Sequence, residues 1–315
     1  MVVRDETVFA HTPYDGSRQP FTIGLAPLDL KDWIEPDHHF EAHLAEKERL
    51  FENAVAPVFL AEADTVPAQG EVLGLLLEHL PRRFPDVYSV SGGAVTLLAS
   101  GRRYEFADFG GRPLLLAAKL VQEDLVIMRK GEGGYRLVAA ALAFPSSWSL
   151  AEKFGRSMPE IHEGVPGFND GRMGPVVARI FDNLAVDRPV WRLNWSLYSD
   201  PELHHPMPKQ IDLRVTDTSL PGLHVRVERQ TLRRLPGSGN ILFTIKIHHD
   251  PVAAFAAHPE GARLALGLRR QLLELTPEQL AYKALCHARA RIAEDLLRLA
   301  ESCGKSSKQE LAAAK

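Results

Sequence analysis

The chain has 315 residues, 45% hydrophobic and 24% charged, which are globular values with room for a sizeable core in one large domain or two ordinary ones. Lysine and arginine number 37 against 40 aspartates and glutamates, so the formal charge of -3 supplies no global basic field for a nucleic acid or a membrane surface. Cys286 and Cys303 are the only cysteines, which excludes a disulfide framework, a cysteine-ligated iron–sulfur cluster and a four-cysteine zinc site.

Residues 1–20 carry little apolar periodicity and read as an N-terminal extension. They contain no apolar leader-like run, and no later window approaches the roughly 18 uncharged apolar residues of a membrane span, so a cytoplasmic protein is expected. A core is expected over residues 21–275. It opens with "FTIGLAPLDLKDWIEPD", where Asp37 is placed to cap a helix over "HHFEAHLAEKERLFENA", with Phe40, Leu44, Lys47 and Phe51 at helical spacing. "GEVLGLLLEHLPRRFPD" reads as a second, largely buried helix ended by Pro81. From Gly92 the period shortens, and "AVTLLAS" and "RRYEFAD" read as antiparallel strands. "EDLVIMRKGEGGYRLVAAALAFP" is a hairpin turning on "GEGG".

The stretch "SSWSLAEKFGRSMPEIHEGVPGFNDG" is rich in turn residues, as functional loops often are. A helix over "GPVVARIFDNLAV", a strand over "PVWRLNWSLY" and a hairpin over "RVERQTLRRLPGSGNILFTIKI" follow. Residues 276–315 read as one long amphipathic C-terminal helix and tail, with Thr276 as its cap and Pro277 at the first helical position. Paired strands with helices before, between and after them predict an α+β protein around an antiparallel sheet.

Common chemical motifs fail on context. "GSGNIL" lacks the third glycine of a dinucleotide fingerprint and leads into a strand instead of a helix. His39 and His43 have the spacing of a two-histidine metal clip, but no third ligand is evident, and they read as a solvated helix face. His204-His205 and His248-His249 are unspecific pairs. The arm from Arg226 to Arg234 carries five charges in nine residues. In a strand, Arg226, Glu228, Gln230 and Leu232 point one way and Val225, Val227, Arg229 and Thr231 the other. Two readings stay open: an edge strand whose arginines resist pairing, or a wall whose charges meet one another or a charged ligand. His162, in a loop between Pro159 and Pro166, is either a hydrogen-bonded loop group or a rigidly presented ligand.

Six blocks, "FTIGLAPLDLKDWIEPD", "LPRRFPD", "LVQEDLVIMRK", "LAFPSSWSLAEKFGRSMPEIHEGVPGF", "RLNWSL" and "RVERQTLRRLPGSGNILFTIKI", occur in the order of a known family. Over roughly residues 20–285 the chain resembles the heme-dependent oxidative N-demethylase alpha-subunit-like proteins. The resemblance implies a PAS-like antiparallel β-sheet flanked by helices that binds heme b. It implies an oxidoreductase of the monooxygenase type, using dioxygen to demethylate a small secondary amine such as dimethylamine and releasing formaldehyde, as a heme subunit or a stand-alone homologue. Flavin, iron–sulfur centre and folate are then expected only on partner subunits, among them a reductase partner protein. On this footing His162, in the Ile-His-x-x-Val-Pro block, is the axial ligand of the heme iron, with Gly164 loosening its loop. Arg226, Arg229 and Arg233 are candidates for the heme propionates, with Gln230 beside them, and Glu228 pairs with an arginine or holds the protonated amine. The alternative is a non-catalytic heme or small-ligand sensor, since a PAS-like fold serves both.

Overall fold

The computed structural model describes residues 9–54, 57–208 and 220–313. Ten strands are described: β1 (Ala26–Pro27), β2 (Phe59–Ala61), β3 (Tyr88–Ser91), β4 (Ala94–Leu97), β5 (Arg103–Glu105), β6 (Asp124–Gly131), β7 (Gly134–Ala141), β8 (Val190–Tyr198), β9 (His224–Arg234) and β10 (Ile241–Pro251). The helices are α1 (Phe40–Asn53), α2 (Val66–Arg83), α3 (Pro113–Leu120), α4 (Leu150–Lys153), α5 (Met158–Ile161), α6 (Met173–Asn183), α7 (Gly261–Glu274), α8 (Pro277–Tyr282) and α9 (Arg289–Ala313). The fold is thus mixed α+β. Seven strands form an antiparallel sheet in the order β1-β8-β9-β10-β6-β7-β2, and β3, β4 and β5 form a small second sheet. Among the described residues no helix is long and apolar enough to cross a membrane.

The charged arm is β9, and it pairs along its length with β10 on one side and β8 on the other. An edge-protecting role for its arginines is therefore ruled out by position. Register sets its neighbours: Arg226, Glu228 and Gln230 lie opposite Ser196, Asn194 and Arg192 of β8 and opposite His249, Ile247 and Ile245 of β10. Arg229 lies opposite Leu193 and Lys246 on the other face. The first face packs against the turn-rich segment, because Phe154, Met158 and Ile161 join Ile245, Ile247 and Leu232 in one apolar cluster. The second face carries two clusters. One lies under α2 and α3, with Leu76, Leu116 and Leu242; the other joins Trp195 and Val225 to α7, α9 and the chain before β1 through Phe9 and Tyr14.

Three element boundaries differ from the sequence reading. α1 begins at Phe40 with His39 as its cap residue, because the Asp37 carboxylate is held by Lys246 (2.8 Å) and Gln122 as well as by the His39 N–H. α2 starts at Val66 and runs through Pro81 to Arg83; Pro81 lacks the N–H that would reach the Leu77 carbonyl, and the helix ends two residues later. The long C-terminal helix is two helices. Thr276 and Pro277 do open α8 with a reciprocal capping box to Gln279, but Ala284 adopts a φ of 56° and the chain restarts as α9, with Leu285 and Ala288 buried at the break.

Candidate functional site

A cleft of about 870 Å3 opens where the C-terminal end of β10, the start of β9, the turn before α1 and the first turns of α1 converge, a size usual for small-molecule and cofactor sites. Six imidazoles line it: His38, His39 and His43 at α1, His224 at β9, and His248 and His249 at β10. The His39 and His43 rings stack with centroids 5.2 Å apart. The Gln122 amide donates to His43 Nδ1 (2.8 Å) and to Asp37 (2.8 Å), which fixes that histidine's tautomer. Burial, then the nearby Lys246 charge, pulls His43 down to about 3, so it is neutral at physiological pH. Burial alone would raise the Asp37 carboxyl, but its ion pair with Lys246 and its hydrogen bonds hold it well below the carboxylate range.

At the margin of this cleft Glu35 gathers three partners. Its Oε2 lies 2.9 Å from His11 Nε2 and 3.5 Å from His248 Nε2, while its Oε1 lies 3.1 Å from Arg229 Nε. Arg229, 2% exposed, is itself fixed by donating to the carbonyls of Trp33 and Asp32. Burial opposes ionisation of Glu35, yet His11, His248 and Arg229 outweigh it and hold the carboxyl well below its usual range. His11 also lines a second cleft, of about 270 Å3, with Trp191, Arg192, Asn194, Trp195 and Lys283.

The residues singled out from sequence do not form one wall. Arg226 is fully buried and donates to the carbonyls of Phe144 (2.9 Å), Leu203 (3.0 Å), Pro145 (3.3 Å) and Glu202 (3.4 Å) and to Ser146 Oγ (3.0 Å). Its guanidinium ties two loops together. On the same face Glu228 accepts from Gln230 Nε2 (2.7 Å) and, more loosely, from Asn194 Nδ2 (3.4 Å). Arg229 and Arg233 point to the opposite face. Arg229 belongs to the Glu35 cluster, and Arg233 lies over the Trp33 ring at 4.6 Å with its Nε buried and unpartnered.

His162 ends α5, where its Nδ1 meets the Met158 carbonyl at 2.9 Å and its ring stacks on Phe168 at 4.2 Å. Burial lowers its pKa, and Lys153 and Arg192 push the same way. It lines neither the 870 Å3 cleft nor the 270 Å3 one.

Two of the histidine pairs dismissed from sequence converge instead, while His204-His205 stays outside the cleft. His39, His43, His248 and His249 share the large cleft, which Glu35, from the "WIEPD" block, also lines. The signal available in sequence was a His-His pair at the end of a long strand. Across residues 24–293, most of its 315, the chain matches the family model described as haem-dependent oxidative N-demethylase, alpha subunit-like. That family's name carries heme dependence, oxidative N-demethylation and the position of an alpha subunit among partners. With its antiparallel α+β fold and buried imidazoles, the chain belongs to the haem-dependent oxidative N-demethylase, alpha subunit-like family.

Proposed function

We propose that this chain is the heme component of an oxidative N-demethylase that takes a small secondary amine of the dimethylamine type, with heme b held by His162. The observation that carries the reading is the state of that imidazole. A carbonyl can only accept, so the contact with Met158 keeps the proton on Nδ1 and leaves the Nε2 lone pair for a metal. Burial keeps the ring neutral, and a carbonyl behind a histidine is the arrangement that orients metal-bound imidazoles. When bound, heme supplies the dioxygen chemistry that oxidises a methyl carbon next to nitrogen.

The chain's own residues bind and orient. Glu228 and Gln230 lie on the sheet face over which the His162 loop packs. A secondary ammonium carries two N–H donors, and the Glu228 carboxylate, steadied through Oε2 by Gln230, is suited to accept them. Arg192, on the same face and with a buried, unpartnered Nε, suits a heme propionate, while Arg226 braces the loops behind. Arg229 and Arg233 serve the opposite face. The partner subunits, in this reading, carry the flavin, the iron–sulfur centre and the folate, and deliver electrons.

The test is an absorption spectrum of heme-loaded protein together with formaldehyde release from dimethylamine, given an electron donor and oxygen. Wild type is expected to have a Soret band and turnover. His162→Ala is expected to lose or shift the band, and Glu228→Gln to keep it while kcat/KM falls about 100-fold. An unchanged band in His162→Ala would move the ligand to another histidine, the cleft imidazoles first. Absence of any heme band in wild type would sink the reading, and a band without turnover would favour the sensor.

A further inference from the structure

We infer that His11, Glu35 and His248 form a second metal site, distinct from the heme seat, for a divalent first-row transition ion of the zinc or non-heme iron kind. Among the described residues their ligand atoms, one from each, all lie within 4.8 Å of one another. Ligands about 2.1 Å from one ion stand at most about 4.2 Å apart, so the cluster has to draw in slightly to hold it. Two imidazoles and one carboxylate are the donor set that such ions take when positions are left for water or substrate.

Three independent features support a ligand there. His248 Nε2 is buried and its contact with Glu35 Oε2, at 3.5 Å, is too long for a strong hydrogen bond, so the atom is poorly satisfied unless something else engages it. The carboxylate is divided between tasks: Oε2 faces both imidazoles, while Oε1 is held by Arg229, which is itself locked on two backbone carbonyls. The Glu35 backbone N–H also donates to Glu123 Oε1 (3.1 Å), so the glutamate is positioned from both ends. The cluster also has access, since Glu35 and His248 line the 870 Å3 cleft and His11 lines the 270 Å3 cleft, so an ion there would stand in the wall between the two. Without an ion, the same groups amount to a carboxylate bonded to one imidazole, with a second imidazole in longer contact at 3.5 Å.

The inference does not rest on heme binding, and one sample can report both. The intact protein, stripped with a chelator and dialysed against zinc chloride, is passed over a desalting column. Zinc and iron are then counted by mass spectrometry, and the zinc neighbours are read from the zinc K-edge. One zinc per chain with a nitrogen and oxygen shell is expected, whatever the heme absorbance of the sample. His11→Ala and Glu35→Gln are each expected to weaken zinc binding about tenfold or more. His11→Ala truncates a side chain outside the sheet, and an unchanged circular dichroism spectrum would establish that its fold is intact. His38→Ala/His39→Ala, which removes cleft imidazoles outside the cluster, is expected to keep the zinc. Failure to retain zinc, retention undiminished in both His11→Ala and Glu35→Gln, or loss only in the His38/His39 variant would each overturn the inference.

Discussion

Among the described residues Arg226 is a cation with no carboxylate on its guanidinium; carbonyl dipoles and one hydroxyl from two separate loops satisfy it instead. Its removal strands several buried acceptors at once. Arg226→Ala is therefore expected to lower stability by about 3 kcal/mol or more in urea unfolding, and Arg226→Lys to recover only part of this, because an ammonium lacks the planar fork. The alternation that put Arg226, Glu228 and Gln230 on one face was legible in the sequence. What Arg226 would bond was not, since the carbonyls of Phe144 and Leu203 come from loops whose approach depends on the whole sheet. Protons give a second residue-scale prediction. Burial first, and neighbouring cations second, bring His43 to about 3 and His79 to about 4, against 6.5 for a free imidazole. Between about pH 4 and 6.5 the unfolded chain thus binds more protons at these sites than the folded one, so stability contributed by the neutral rings is present above that window and lost as pH falls through it. A pH series of unfolding midpoints is expected to decline across that window, and His43→Gln to make the decline shallower; an unchanged slope in that variant would refute the assignment.

The C-terminal helices are the clearest case of an element half legible in sequence. Threonine, proline and a glutamine three positions after the cap announce the start of α8, and the capping box is present at that place. Thr276→Ala is expected to cost about 1 kcal/mol by chemical denaturation. The break near Ala284 left no such mark, because the apolar spacing continues across it; tertiary packing that buries Leu285 and Ala288 forces it. An alanine at positive φ is strained where glycine is not, so Ala284→Gly is expected to be neutral or stabilising by up to about 1 kcal/mol, unlike glycine substitution inside α9, which should destabilise. The two arms of β9 and β10 were likewise visible from their turn, whereas their central position in the sheet was not. Strand order arises from long-range pairing, and β8, the other neighbour of β9, gives no local sign of it.

Over the whole molecule, the clefts are made of segments that are remote in sequence, which is why their histidines looked like chance pairs. His11 reaches its site because the chain around it lies on α7. Gln271, 1% exposed, donates to the carbonyls of Pro13 (3.0 Å) and Arg18 (2.9 Å) and accepts from Trp195 Nε1 (2.7 Å). Gly267 lets the backbones touch: a Cβ there would stand 2.5 Å from the Asp15 carbonyl oxygen. Gly267→Ala is expected to cost about 1–3 kcal/mol and to expose the chain near residues 10–20 to limited proteolysis, with α7 and the sheet still folded by circular dichroism. The same contact orders events during synthesis. Pro13 and its acceptor-seeking partner Gln271 are 258 positions apart, so at ribosomal rates of about 5–20 residues per second the early segment waits roughly 13–50 s before the surface it docks on exists. His11 is thus made well before the surface that seats it, and the cluster around Glu35 is completed only after α7 has emerged.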